Sequence, residues 1–204
     1  EPEDAFLMRT VEDALRFKDR LKKNDIKHTV VIGASMAGIK VVEVLHKYGI
    51  ETWLLDLASY IFPLAAYKEV AKEIEKRVEA QGVHLMFGVT IDHMEQENGE
   101  KTAVLTDGSR IPADIVGLCI GTRAITETVQ GEVEIGRGIV VDDHMRTSVP
   151  GIYAAGDCCE GNNLESGQNQ IIGLWANANH QGETAGINMA GGDMAYKGNI
   201  LHNI

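Results

Sequence analysis

The chain has no excess of basic residues. Its 19 Lys and Arg stand against 30 Asp and Glu, for a formal net charge of −11 over 204 residues. That balance argues against nucleic acid or an anionic membrane as a partner, because both are held by basic patches. No apolar run approaches the ~20 residues of a membrane-spanning helix. There is no signal peptide and no initiator Met; the chain opens at Glu1 and reads as a piece of something longer. Cysteine is scarce: Cys119, Cys158 and Cys159 form no Cys-x-x-Cys and no disulfide framework, which suits a reducing cytoplasm. A bridge between the adjacent Cys158 and Cys159 would be strained, so they read as small buried residues beside a turn rather than a redox pair. The seven histidines show no metal-ligand spacing, and no metal is expected. What is present is a soluble, globular composition, 44% hydrophobic, long enough for one large domain or two small ones.

The chain is organised around Thr29 to Asp56, TVVIGASMAGIKVVEVLHKYGIETWLLD. A β-branched run to Ile32 reads as a buried strand. Gly33-Ala34-Ser35-Met36-Ala37-Gly38 follows, then a helix to Tyr48 stopped by Gly49. A second strand, Trp53 to Leu55, finishes on Asp56. This is the order of a dinucleotide-binding βαβ unit. Gly33 permits a turn too tight for a Cβ, and Gly38 permits close packing of helix on strand. The helix N-terminus offers free N–H groups and partial positive charge to a pyrophosphate. Asp56 can accept hydrogen bonds from a ribose diol. Ser35 replaces the usual middle glycine, and its hydroxyl can itself bond phosphate. A glycine turn in some other α/β domain is the plainer alternative.

Elsewhere, Thr10 with Asp13 three residues on reads as a capping box, opening a helix to about Lys23 with Val11, Ala14, Leu15 and Leu21 on its apolar face. Ser59 to Leu64 reads as a loop. The next helix, about Ala66 to Gln81, buries Val70, Ile74 and Val78, and Val83 to Phe87 forms a third strand. Asn98-Gly99 and Asp107-Gly108 then divide three short strands into an antiparallel meander. Asp114 to Ile120 is a further apolar strand, ending in Gly121. After it the texture changes: Gly138–Val141 is strand-like, Gly151–Asp157 reads as a short strand running into a glycine and an acid, Asn162 to Asn169 as a polar loop, and Ile172 to Ala190 as a helix rich in Asn, Gly and Ala. Three segments are expected: a leading helix and connection over 1–25, a nucleotide domain over 26–122, and 123–204, which has too few strands to close a sheet of its own.

The stretches VVIGASMAGIKVVEVL, ETWLLD with IFP, DGSRIPADIVGLCIG, RTSVPGIYAAGD and QIIGLWANANHQGETAGINMAG together resemble the FAD-dependent pyridine nucleotide–disulfide oxidoreductase family. The resemblance covers nearly the whole chain and lies nearest the branch of rubredoxin reductases, NADH oxidases and nitrite-reductase large subunits. It implies an α/β fold: a Rossmann-like NAD-binding domain, with a parallel sheet and an antiparallel meander, plus the C-terminal piece of an FAD-binding domain whose amino-terminal half is missing.

By that resemblance, Gly33, Ser35, Met36, Ala37 and Gly38 line the pyrophosphate of NAD, Asp56 holds the adenosine ribose, and Gly121 approaches the dinucleotide. Gly156 and Asp157 match the family's flavin motif, and Leu174 and Trp175 pass near the isoalloxazine. Met36 replaces an aromatic and Lys40 a glutamate that many members carry. The implied reaction is hydride transfer from NADH to FAD and on to an unknown acceptor, for which a small redox protein is one candidate; a homodimer is one assembly it allows. The cofactors carry that chemistry, so no catalytic side chain is expected. From a different class, a non-catalytic NAD(H) sensor or interaction module would share the first motif but has no use for GIYAAGD.

Overall fold

β-branched runs alternating with glycine-stopped helices build the first of two compact units, which divide in sequence between Gly121 and Thr122. The computed structural model describes residues 4–63, 65–129 and 131–200, so Leu64, the end of the expected loop from Ser59, lies outside the described residues. The first unit runs β1 (Ala5–Leu7), α1 (Val11–Leu21), β2 (His28–Ile32), α2 (Met36–Lys47), β3 (Glu51–Asp56), α3 (Lys68–Glu79), β4 (His84–Phe87), β5 (Ile91–Glu97), β6 (Glu100–Leu105), β7 (Arg110–Pro112) and β8 (Ile115–Leu118).

Five strands form a parallel sheet in the order β1-β8-β2-β3-β4, and β5-β6-β7 form the antiparallel meander. Strands covered on both faces need apolar residues in both directions, which is why β2 and β3 read as continuous runs. Val31 and Leu54 face a core shared with α1, α2 and α3. Their neighbours Val30 and Leu55 face Ala103, Leu105 and Ile111 of the meander. The β5–β6 turn has positive φ at both Asn98 and Gly99, the twist that Asn-Gly supplies.

Three local expectations are corrected. The opening residues are expected only as part of a leading helix and connection over 1–25, yet β1 pairs with β8 in register Ala5↔Val116. The capping box of α1 is present, with Thr10 and Asp13 exchanging hydrogen bonds, but its buried residues are Phe17 and Leu21. Val11 and Leu15 are 71% and 53% exposed, and Ala14 is exposed too. The reason is Phe6 on β1, whose ring lies 5.4 Å from that of Phe17 and draws that side of the helix inward. On α3, Ile74 and Val78 pack on the core, but Ala71 is buried where Val70 was expected, and Val70 is exposed.

In the second unit, β9 (Gly161–Asn162) pairs with β10 (Asn169–Gln170), closing the expected polar loop, and α4 spans Trp175–Met189. The expected strands at Gly138–Val141 and Gly151–Asp157 are isolated bridges instead, Ile139 with Ile135 and with Cys159, and Arg146 with Tyr153. A small apolar cluster of Val133, Ile139, Ala154 and Cys159 holds these segments.

Candidate functional site

The chain leaves β2 toward β3 and β4 on one side and returns to β8 on the other. Such a change of direction marks the carboxyl ends of β2 and β8 as the place where open α/β sheets bind ligands. Gly33 ends β2 there, Asp56 ends β3, and the Cys119–Gly121 segment leaves β8.

The glycines are required by contacts. A Cβ on Gly33, whose φ is +104°, would lie 2.3 Å from the Cys119 carbonyl oxygen; one on Gly38 would lie 1.9 Å from that of Gly33. Both are backbone clashes that no rotamer relieves. Ser35 caps α2, its Oγ accepting the Gly38 N–H at 3.4 Å and donating to the Cys119 carbonyl at 3.4 Å. The hydroxyl expected to meet phosphate is therefore used within the turn. The N–H groups of Met36 and Ala37 donate to none of the described residues. They stand at the positive end of a 12-residue helix with no acidic residue in its first turn. Met36 is 62% exposed. An anion such as a pyrophosphate fits this end, since no acidic residue of α2 competes for its N–H groups.

Asp56 is tied to that turn more directly than the sequence shows. Its Oδ2 accepts the Ala34 N–H at 2.7 Å, and its Oδ1 accepts the Ala58 N–H at 2.8 Å. The carboxylate is partly buried. Each oxygen keeps a further lone pair, so both can still accept from a hydroxyl. The backbone at Ala34 is further held by Phe62, whose N–H donates to the Ala34 carbonyl at 2.9 Å. Ala34, Ala58 and Phe62 were not among the expected residues, because backbone groups leave no signal in side-chain identity. Gly121, at φ +85°, follows β8 and is exposed. Cys119, beneath the turn, has its thiol pushed up to about 11 by burial. Lys40 pairs with Glu43 at 2.9 Å on the outer face of α2.

The second unit holds the other expected residues. Gly156 has φ +83°, and its N–H donates to Gln181 Oε1 at 2.7 Å. The Asp157 carboxylate is exposed and makes no hydrogen bond with the described residues. It lies against Gly173, where a Cβ would come 3.0 Å from Asp157 Oδ2. Leu174 stands at the N-cap of α4 without a side-chain cap, and Trp175 is 82% exposed. An unpaired acid beside an uncapped helix start suits a ligand rich in hydroxyls. Cys158 and Cys159 donate to the carbonyls of Ala155 and Gly156, and burial pushes the Cys159 thiol up to about 12. Asp142, Asp143 and His144 bring ligand-type atoms within 4.8 Å of one another, but His144 Nδ1 is already paired with Asp143 at 2.6 Å.

The description "Pyridine nucleotide-disulphide oxidoreductase" belongs to a family pattern matching residues 1–182. The chain is 30% identical to an NADH oxidase of Streptococcus pyogenes over 179 residues, covering 86% of this chain and 39% of that protein. It is also 30% identical to a rubredoxin-NAD(+) reductase of Pseudomonas putida, covering 77% of this chain and 41% of the relative. A water-forming NADH oxidase from Lactobacillus brevis, solved bound to NADH, superposes with a TM-score of 0.89 at 28% identity, covering 97% of this chain and 44% of that one. The chain thus spans about two fifths of the length of these relatives. With a parallel sheet turning at Gly33, a meander on one face and a match across most of its length, this chain belongs to the pyridine nucleotide-disulphide oxidoreductase family.

Proposed function

We propose that the first unit binds NADH and the second supplies part of an FAD site, within an NADH-dependent flavin oxidoreductase. One observation carries the reading: the Asp56 carboxylate and the free N–H groups of Met36 and Ala37 flank a single glycine turn at the sheet's switch point. The two cofactors, when held by these residues, would supply hydride-transfer chemistry between a nicotinamide and a flavin. This chain's own residues bind and orient. Met36 and Ala37 donate backbone hydrogen bonds to the pyrophosphate, with Gly33 and Gly38 keeping the surface free of side chains. Asp56 accepts from the adenosine ribose, and Gly121 approaches the dinucleotide. Asp157 accepts from the ribitol–pyrophosphate region of the flavin, with Gly156, Leu174 and Trp175 beside it. No side chain is assigned as acid or base.

Names among the relatives, NADH oxidase and rubredoxin-NAD(+) reductase, support a reaction that begins with NADH and differ in the acceptor. Among the described residues no helix is long and apolar enough to cross a membrane, and a cytoplasmic setting with a small redox protein as acceptor is the reading we favour. Equilibrium titration of the chain with NADH tests the proposal. Saturable binding that Gly38→Ala abolishes supports it. Binding unaffected by Gly38→Ala would remove the turn from the site.

A further inference from the structure

α4 buries a polar face. Asn177, Gln181, Thr184 and Asn188 lie on it at helical spacing, with Gln181 only 2% exposed. Burying a carboxamide is costly unless its donors and acceptors are used. Here the three carboxamides hold surrounding segments of chain. Asn177 donates to the Ile200 carbonyl at 3.0 Å and accepts the Ile200 N–H at 3.3 Å. Asn188 holds Met194 in the same two ways, both at 2.8 Å. Gln181 reaches the Gly156–Asp157 turn. Its Oε1 accepts the Gly156 N–H at 2.7 Å, and its Nε2 donates to Asn199 Oδ1 at 2.8 Å. That oxygen also accepts the Tyr196 hydroxyl at 2.9 Å.

The direction of these bonds is set from one end. A backbone N–H can only donate, so Gln181 must turn its oxygen to Gly156 and its nitrogen to Asn199. Asn199 must then answer with oxygen, and its Nδ2 is left buried without a partner. The orphaned donor shows which bond the network favours: the one on Gly156 is kept at the expense of Asn199. Gly156 needs such a hold, because its positive φ and the absence of a side chain give the turn little rigidity of its own.

We infer that Gln181 is a positioning residue that fixes the Gly156–Asp157 turn and so holds the unpaired Asp157 carboxylate in place. As a role toward flavin this rests on the function proposed above; as a role toward the turn it does not. Amide hydrogen exchange on the whole chain tests it. Gln181→Met keeps the volume but removes both the acceptor for Gly156 and the donor to Asn199, and should speed exchange at Gly156 on the order of tenfold or more. The Met194 amide, held by Asn188, should stay within about twofold of wild type if the loss is confined to the two Gln181 bonds. Gln181→Glu keeps an oxygen for Gly156 and offers another to the orphaned Asn199 Nδ2, so protection at Gly156 should return to within about threefold. Unchanged exchange at Gly156 in Gln181→Met would overturn the inference. So would equal acceleration at Met194, or a Gln181→Glu variant no better than Gln181→Met. Absence of NADH binding by the wild-type chain would instead count against the proposed function and leave the exchange result standing, since that result concerns the second unit alone.

Discussion

Asp56→Ala should weaken NADH binding and at the same time narrow the discrimination against NADPH. The carboxylate makes two bonds to backbone N–H groups, at 2.7 Å to Ala34 and 2.8 Å to Ala58. Hydrogen bonds to a charged group contribute about 1.5–3 kcal/mol each, but solvent reaches this partly buried group and replaces some of that. A net loss of about 2 kcal/mol in stability follows, together with a looser phosphate turn. The 2′-phosphate of NADPH carries roughly two negative charges. Like unit charges 4 Å apart repel by about 1 kcal/mol in water and about 4 kcal/mol near a protein surface. Residues 57–60 are Leu, Ala, Ser and Tyr, so no cation follows the strand to offset this. A preference for NADH of about 2–3 kcal/mol, or roughly a hundredfold, is the expected result. Calorimetric titration of both nucleotides into wild type, Asp56→Ala and Asp56→Asn checks it, with thermal melts run alongside to separate affinity from stability. Asp56→Asn removes the repulsion while keeping one acceptor for the turn, and should lose less stability than alanine. Equal affinities for the two nucleotides in the unmutated chain would refute the placing of Asp56 against the ribose.

Gly33→Ala should destabilise the first unit by about 2 kcal/mol or more, since its Cβ would meet the Cys119 carbonyl at 2.3 Å and the residue would sit at φ +104°; denaturant midpoints measure this. At pH 8 a thiol reagent should modify Cys119 and Cys159 slowly in the folded chain, because burial holds their thiols at about 11 and about 12. On the proposed function, replacing Cys158 and Cys159 by serine in the full-length enzyme should leave NADH-driven flavin reduction within a few fold; a loss of several orders of magnitude would place them in the electron path. Asp4 ties β1 to Lys101 of the meander and to Arg20 of α1; burial raises its carboxyl, but the hydrogen bonds and charges of Lys101 and Arg20 outweigh this and lower it below 3.8. A depressed carboxyl contributes stability above its unfolded pKa and loses it as pH falls through the folded value. Wild type should therefore be the more stable at pH 7 in melts against Asp4→Asn, and the two should converge as pH drops below about 4.

The parts of this structure legible in the sequence are those in which one residue type answers one local demand. Gly33 and Gly38 could be placed because no side chain fits their contacts, and Asn98-Gly99 because its turn needs positive φ twice. The α1 face was misread because its partner, Phe6, sits on a three-residue strand too short to show a period. That strand pairs with β8, far along the chain. The second unit was harder for the same reason, as isolated bridges such as Ile139 with Cys159 leave no repeating pattern. The helix from Ile172 to Ala190 was legible as rich in Asn, Gly and Ala, but not the burial of Asn177, Gln181 and Asn188, since carboxamides are usually exposed. Their burial follows from the loops they hold, which only the folded arrangement shows. Asp56 was legible as an acid ending a strand, but not its bonds to Ala34 and Ala58.

The central claim is that a dinucleotide lies across the turn between β2 and α2. Backbone amide shifts recorded while NADH is titrated into the isotopically labelled chain test this most directly. The account predicts that the largest changes fall on residues 33–38, on Asp56 to Ala58 and on Gly121, with Met36 and Ala37 moving furthest as their free N–H groups gain acceptors. Saturable shifts centred elsewhere in the chain, with Met36 and Ala37 unmoved, would contradict it.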